Sequence, residues 1–204
     1  MLTRVSTDVP PRPDPRIVRS ERAIQEALLE ALRDGRDFSA LTVSEIAAKA
    51  GVTRKTFYAR FGSLEQVVQR TVQNLFSGIA ARIDDELLRL PLADNSLAML
   101  VFKAHEEHQA TLAPLVRHCS AGLFVEPVSE VATLLLDRVI QVNHLPPMNE
   151  AEHAYLVATV ASMVHGVLSV WARRGFREPA ERVASFIDTL LADGMQKVVA
   201  SKRS

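Results

Sequence analysis

The stretch that decides the fold is VTRKTFYARF, Val52 to Phe61. It follows a glycine, Gly51, and its second residue, Thr53, is a favoured residue for capping the start of a helix. Phe57 and Phe61 lie four residues apart, so on a helix they share one face. The stretch therefore predicts a short amphipathic helix that is entered through a tight turn.

The first turn of this predicted helix carries Arg54 and Lys55. Each cation at a helix N-terminus interacts unfavourably with the helix dipole and costs about 0.3–1 kcal/mol of stability. Residues that are unfavourable for the local structure often occur at functional sites. The same terminus offers backbone N–H groups that bind phosphate. The outward side chains suit contacts with phosphates and base edges: Thr53, Arg54, Lys55, Thr56 and Tyr58. A basic, solvated surface helix is the alternative.

Flanking signals place this helix in a compact three-helix unit. Asp14-Pro15 starts an opening helix that Gly35 ends, and Thr42 with Glu45 forms a capping box for a second helix reaching Ala50. A helix, a glycine turn and a basic helix are typical of a helix-turn-helix, whose second helix enters the DNA major groove.

The remaining sequence is helical in its apolar pattern, and strand signals are nearly lacking. Helices are predicted at roughly 64–90, 95–110, 111–120, 127–143, 149–174 and 179–200, with prolines between several of them. The expected fold class is all-α, with an N-terminal three-helix helix-turn-helix domain and an all-helical C-terminal domain. The predicted limits are 1–62, including a flexible arm at about 1–13, and 63–204.

Charge and composition narrow the classes of protein. The chain has 24 basic and 24 acidic residues, but residues 1–62 carry 11 basic and 8 acidic side chains. The single cysteine, Cys119, excludes an intramolecular disulfide and cysteine-motif zinc sites. His153–Ala172 lacks charged residues, yet it contains several polar ones, so a buried helix is expected rather than a membrane span. A cytoplasmic location is expected.

Patterns for catalysis and metal binding are weak. His105 and His108 lie three residues apart and could seed a metal site, although a solvated polar face is the preferred interpretation. Glu150 and His153 have the spacing of di-iron bundles, which need two such motifs. The sequence has no nucleophile elbow and no phosphate-binding glycine loop. No catalytic residues and no cofactor are predicted, and a metal-sensing regulator stays open as an alternative.

Residues 42–66 closely resemble the DNA-binding motif of the tetracycline-repressor (TetR) family of bacterial regulators. The residues that carry the resemblance are Thr42, Val43, Ile46, Ala47, Ala50, Gly51, Val52, Thr53, Thr56, Phe57, Tyr58, Phe61 and Ser63. The resemblance implies that Thr42 binds phosphate, that Thr53, Arg54, Lys55 and Thr56 reach the major groove or its flanking phosphates, and that Tyr58 holds the backbone.

One position departs from the family pattern, because Leu64 stands where a basic residue is common. Arg4, Arg12 and Arg16 of the arm could compensate by entering the minor groove, with plain disorder of the arm as the alternative. The resemblance also implies a repressor that binds a palindromic operator as a homodimer and is released by a small-molecule effector.

Two further sets of residues are expected to serve this regulator. Small residues recur every fourth position along the uncharged helix and would allow close packing against a second copy, together with the last helix; the expected interface residues are Ala158, Ser162, Gly166, Phe186 and Leu190. Apolar residues of the C-terminal domain could line an effector pocket, with ordinary core packing as the alternative; they are Phe76, Met99, Phe102, Phe124, Met163 and Trp171.

Overall fold

The computed structural model describes residues 14–90 and 96–191, except for the side chains of residues 96, 97, 190 and 191. The described part is helical and holds no strand, which confirms the predicted all-α class. In chain order the helices are α1 (Pro15–Arg33), α2 (Val43–Lys49), α3 (Arg54–Arg60), α4 (Leu64–Ala80), α5 (Ser96–Glu107), α6 (Gln109–His118), α7 (Gly122–Val142), α8 (Glu150–Arg173) and α9 (Ala180–Leu191). Short 3-10 turns occupy Phe38–Ala40 and Asp85–Leu88.

The first three helices begin and end where the sequence predicts. The Asp14 side chain accepts a hydrogen bond from the Arg16 N–H at 2.8 Å and opens α1. Thr42 and Glu45 form the expected capping box of α2. Gly51 has a φ of 67°, a left-handed conformation that costs little only for glycine, and it allows α3 to follow α2 directly.

The hydrophobic core runs continuously from the N-terminal helices into the C-terminal ones. In the N-terminal part, Ile24 and Leu28 of α1 pack with Ile46 of α2 and Phe57 of α3. The first turns of α4 contribute Leu64, Val67 and Val68 to the same cluster, which extends to Ile187 of α9. Helix α4 thus belongs to both parts of the molecule.

Helix α4 is shorter than the predicted 64–90, because it ends at Ala80. The Arg138 side chain on α7 donates hydrogen bonds to the backbone oxygens of Ala80 at 3.2 Å and Ile83 at 2.8 Å. Asn143 similarly donates to the Leu88 oxygen at 2.8 Å. These tertiary contacts satisfy carbonyl groups that a longer helix would have bonded internally, and the predicted continuation was wrong.

Helix α7 begins at Gly122, five residues before the predicted start at Pro127. Proline lacks the N–H that would bond to the carbonyl one turn earlier, but a position near the helix start limits the disruption. Pro127 and Phe124 are both buried, so packing holds this first part of the helix in place.

Helix α8 was expected to be buried, and it is buried on one face only. It is long and apolar enough to cross a bilayer by length and composition, and 28% of its most apolar 18-residue window is buried in the single chain. Its opposite face is exposed and uncharged along most of its length. An exposed apolar face of this length is typical of a surface that contacts another molecule.

Candidate nucleic-acid interface

Helix α3 has one buried and one exposed face, as predicted. Phe57 and Phe61 are almost fully buried, at 0% and 1% exposure. Arg54 and Lys55 are exposed, and Tyr58 is 50% exposed while the edge of its ring packs against Phe57 at 5.7 Å between centroids. The two phenylalanines fix the helix on the core, and its polar face points to solvent.

The cations at the start of α3 are not neutralised by neighbouring residues. Arg54 and Lys55 form no ion pair with any described residue. Four other cations in or near the three-helix unit do so: Arg33 pairs with Glu26, Arg36 with Glu45, Lys49 with Glu30 and Asp34, and Arg70 of α4 with Glu21. The positive end of the helix dipole and two unpaired cations therefore coincide on one exposed surface.

The threonines of the motif are engaged in helix capping. The Thr53 hydroxyl accepts the Thr56 N–H at 3.0 Å, and the two hydroxyl oxygens are 2.9 Å apart. At α2, the hydroxyl and the N–H of Thr42 both donate to a Glu45 carboxylate oxygen, at 2.8 and 2.9 Å. These hydrogen bonds, and the Arg36 guanidinium, hold the pKa of Glu45 below its usual value. A phosphate contact by Thr42 would thus require its hydroxyl to turn away from a carboxylate.

Three arginines of α1 are also exposed and lack a described acidic partner. Arg16, Arg19 and Arg22 are exposed and form no ion pair within the described part of the chain. Arg16 lies in the first turn of α1, so its predicted place in the flexible arm was wrong. Arg4 and Arg12 lie outside the described residues. We call Arg16, Arg19, Arg22, Arg54 and Lys55 the basic surface.

A side-chain hydrogen bond connects α1 and α3, the two helices that carry the basic surface. The Arg60 guanidinium of α3 donates a hydrogen bond to the Ser20 hydroxyl of α1 at 3.0 Å, one helical turn after Arg16. Arg19 and Arg22 were not among the residues predicted from the sequence. Their i, i+3 spacing after Arg16 was the available signal, since it places successive side chains on neighbouring parts of one helix surface.

The predicted effector residues come together in one core. Phe76, Phe102, Phe124 and Trp171 are buried, while Met99 and Met163 are partly buried and pack against the same cluster. The rings of Phe102 and Trp171 meet edge to face at 6.0 Å. The structure therefore places all six residues in a continuous apolar region of the C-terminal part.

The two histidines considered for metal binding face different surroundings. His105 is fully buried, whereas His108 is exposed at the start of α6. Burial, together with the charge of His108, lowers the pKa of His105 to about 4. No group of three or more His, Cys, Asp or Glu side chains in residues 14–90 and 96–191 is placed to hold a metal ion.

Four of the five expected interface residues are exposed on α8 and α9. Ala158, Ser162 and Gly166 are exposed, and Phe186 is 63% exposed. The Leu190 side chain lies outside the described residues. An open groove of about 490 Å³ lies here; its lining includes Gly166, Val170, Trp171, Val183 and Phe186. The face is mainly apolar, and no residue of the described part covers it.

A short helix held by two buried phenylalanines, preceded by a glycine turn and presenting unpaired cations, defines a helix-turn-helix DNA-binding domain. Residues 26–71 match the family model of the bacterial regulatory proteins, tetR family. Over these residues the chain is similar to the DNA-binding domain of TetR-family transcriptional regulators.

Known relatives agree with this assignment over part of their length. The chain is 35% identical over 91 residues to the HTH-type transcriptional regulator AlkX of Mycobacterium tuberculosis, covering 43% of this chain and 39% of that protein. It is 35% identical over 60 residues to the HTH-type regulator YxbF of Bacillus subtilis, covering 29% of this chain and 16% of that protein. The matched region thus spans well under half of each relative.

A solved structure extends the likeness of fold to most of the chain. The TetR family repressor AlkX from Dietzia, implicated in biodegradation of n-alkanes, superposes with a TM-score of 0.52 at 23% identity. The superposition covers 87% of this chain and 98% of the other. At this identity it supports the arrangement of helices and nothing about ligands.

Proposed function

We propose that the chain is a homodimeric, ligand-responsive transcriptional repressor that binds a palindromic DNA operator and is released by a small-molecule effector. It acts in the bacterial cytoplasm, where its DNA lies, and has no catalytic role. Residues 1–62 form the DNA-binding domain and residues 63–204 the effector-binding and dimerisation domain. The observation that carries the proposal is the pair of unneutralised cations in the first turn of α3.

The residues of α3 and of α1 are suited to different contacts with DNA. Arg54, Lys55 and Thr56 lie at the end of α3 that enters the major groove in helix-turn-helix proteins. An arginine there can bind guanine with two hydrogen bonds, while Tyr58 reaches the sugar-phosphate backbone. The arginines of α1 add phosphate contacts, which makes affinity strongly dependent on salt. Thr53 contributes mainly by capping α3, and Thr42 binds phosphate only if it leaves Glu45.

The exposed face of α8 and α9 supports dimerisation. Small residues along α8 let a second helix approach closely, and Phe186 adds apolar area that water would otherwise cover. A twofold dimer presents two α3 helices in a fixed geometry. It therefore requires a palindromic operator with half-sites about 34 Å apart, or a multiple of that distance.

Contacts between the two parts of the molecule support control by an effector. Arg70 of α4 lies over the Phe61 ring, 5.3 Å from its centroid, and pairs with Glu21 of α1. Arg33 of α1 donates to the backbone oxygen of Ala110 in α6 at 3.3 Å. An effector that shifts α4 or α6 would reorient the DNA-binding domain and change the spacing of the two α3 helices.

The test begins with selection of bound duplexes from a random DNA pool at one moderate salt concentration. The proposal expects enrichment of a palindrome. Affinity for that duplex is then measured by fluorescence anisotropy for the wild type and Arg54→Ala, and the variant should bind more weakly by about 1–3 kcal/mol with relaxed specificity.

The control variant is Arg89→Ala, which removes an exposed cation paired with Glu86 in the C-terminal part. It changes the net charge equally and should leave operator affinity within about twofold of the wild type. Unchanged affinity of Arg54→Ala would show that α3 does not read the DNA.

A further inference from the structure

In the C-terminal core, one buried ring nitrogen has no hydrogen-bond partner within residues 14–90 and 96–191. His105 of α5 is fully buried, and its Nδ1 lies against the backbone oxygen of Val101, one turn earlier in the same helix. A carbonyl oxygen only accepts, so Nδ1 carries the proton and Nε2 is an acceptor. Nε2 has no partner among the described residues.

The orientation of the His105 ring determines the direction in which Nε2 points. Because Nδ1 faces the backbone of α5, Nε2, on the other side of the ring, points away from that helix. The surroundings are aromatic: the Phe76 ring of α4 meets the imidazole edge to face at 4.9 Å, and the Phe102 ring lies at 6.2 Å. Phe102 in turn contacts Trp171 of α8.

Other buried polar side chains of the described chain have partners. The Thr71 hydroxyl donates to the Val67 oxygen at 2.7 Å, and the Ser169 hydroxyl lies 3.2 Å from Nε2 of His165. His105 is the exception among the three buried polar residues described, which are Thr71, His105 and Ser169. Buried polar groups are satisfied in the great majority of native proteins, so this orphaned acceptor indicates a binding partner from outside the described residues, and a bound ligand is such a partner.

We propose that Nε2 of His105 is the polar anchor of the effector site, and that the effector is an uncharged, largely aromatic or apolar molecule carrying one O–H or N–H donor. This inference rests on the proposed function and adds the chemical class of its effector.

The chemistry of the surroundings limits the effector in two ways. The ring contacts described for His105 are all with aromatic residues, which favour an aromatic or apolar body. No described carboxylate or cation contacts the imidazole, and a charge buried there without a partner would be strongly disfavoured. A neutral imidazole is moreover an acceptor, so it selects a donor over a second acceptor.

The test uses phenol and toluene as probes, because they match in size and differ by a hydroxyl in place of a methyl group. The full chain, with ¹⁵N-labelled histidine, is titrated with each probe. Phenol should bind about tenfold more tightly than toluene, the size of effect expected when one hydrogen bond satisfies a buried acceptor. The Nε2 resonance of His105 should shift with phenol and stay in place with toluene.

Two variants of similar volume give the controls. His105→Phe should bind the two probes within about twofold of each other. His165→Phe removes an imidazole whose Nε2 already has Ser169 as a neighbour, and it should keep the preference for phenol. The resonance of the wild-type protein decides the question even if a variant fails to fold.

The inference would be overturned by equal affinity for the two probes, by binding of neither at millimolar concentration, or by an Nε2 resonance that phenol leaves unmoved because ordered water already occupies the position. A preference for phenol that persists in His105→Phe would also overturn it. DNA binding by the same preparation is measured separately without either probe, and failure to bind any duplex there would instead contradict the proposed function.

Discussion

At the residue scale, Thr53 has two roles that substitution can separate. Its hydroxyl caps α3, and its position faces the proposed DNA surface. Aspartate caps helices about as well as threonine does, but it places a negative charge beside phosphates. Thr53→Asp should therefore keep the free energy of unfolding within about 0.5 kcal/mol of the wild type while operator affinity falls at least about tenfold.

The matched variant Thr53→Ala loses the cap and should lose about 1 kcal/mol of stability. Urea unfolding measures the stability of both variants, and fluorescence anisotropy measures their affinity for the selected duplex. Tight operator binding by a folded Thr53→Asp protein would place the DNA away from the start of α3.

The buried imidazole of His105 makes stability depend on pH. Burial lowers its pKa from 6.5 to about 4, so between these values the unfolded chain binds a proton that the folded chain does not. Stability is therefore expected to fall as pH decreases from about 6.5 to about 4, by on the order of 3 kcal/mol. Burial also lowers the pKa of His165, which acts in the same direction.

The measurement is urea unfolding of the wild type and His105→Phe at several pH values between 7 and 4. The variant lacks the titrating group and should show a shallower loss of stability. Parallel curves for the two proteins would mean that His105 is protonated as readily in the folded chain as in the unfolded one.

At the element scale, the turn between α2 and α3 depends on the backbone of Gly51. Its φ is 67°, and a Cβ added there would meet no atom within 4 Å. The cost of Gly51→Ala is thus conformational, about 1–2 kcal/mol of stability. Gly78 of α4 is a matched control, since it also has open space around it but lies inside a helix. Gly78→Ala should stabilise the protein by about 0.5–1 kcal/mol.

Thermal or urea unfolding of the two alanine variants tests this contrast. The prediction is opposite signs for the same chemical change, because one glycine has a left-handed conformation and the other a helical one. Similar effects of both substitutions would show that the glycine turn does not set the geometry of α2 and α3.

Elements with local signals were predictable from sequence, and those set by distant contacts were not. The caps at Asp14, Thr42 and Thr53 act within a few residues, so the starts of α1, α2 and α3 could be placed in advance. The end of α4 depends on Arg138, more than fifty residues later in the chain, and no local pattern announces it.

In the candidate site, too, some features follow from local sequence and others depend on distant contacts. The faces of α3 follow from the spacing of Phe57 and Phe61, whereas the absence of acidic partners for Arg54 and Lys55 within the described chain depends on how α1 and α2 pack. The lack of a hydrogen-bond partner for His105 Nε2 among the described residues is likewise evident only from the packed core. The sequence alone suggested that His105 lies on an exposed polar face.

At the scale of the whole molecule, the uncovered face of α8 and α9 predicts that the chain functions as a dimer. Phe186 is 63% exposed at the edge of an apolar groove, and α8 offers small residues beside it. In a twofold dimer each substitution occurs twice, and a charge buried without a partner is costly. Phe186→Glu should weaken dimerisation by about 2 kcal/mol or more.

Sedimentation equilibrium at micromolar concentration measures this change, with Val125→Glu as the matched control. Val125 is an apolar residue of α7 that is 47% exposed and does not line the groove, so its variant should remain dimeric. Loss of the dimer should also lower affinity for the full palindrome while affinity for a single half-site is retained, because two linked α3 helices bind with a high effective concentration. If Phe186→Glu stayed dimeric, or if both variants dissociated alike, a surface other than α8 and α9 would join the two copies.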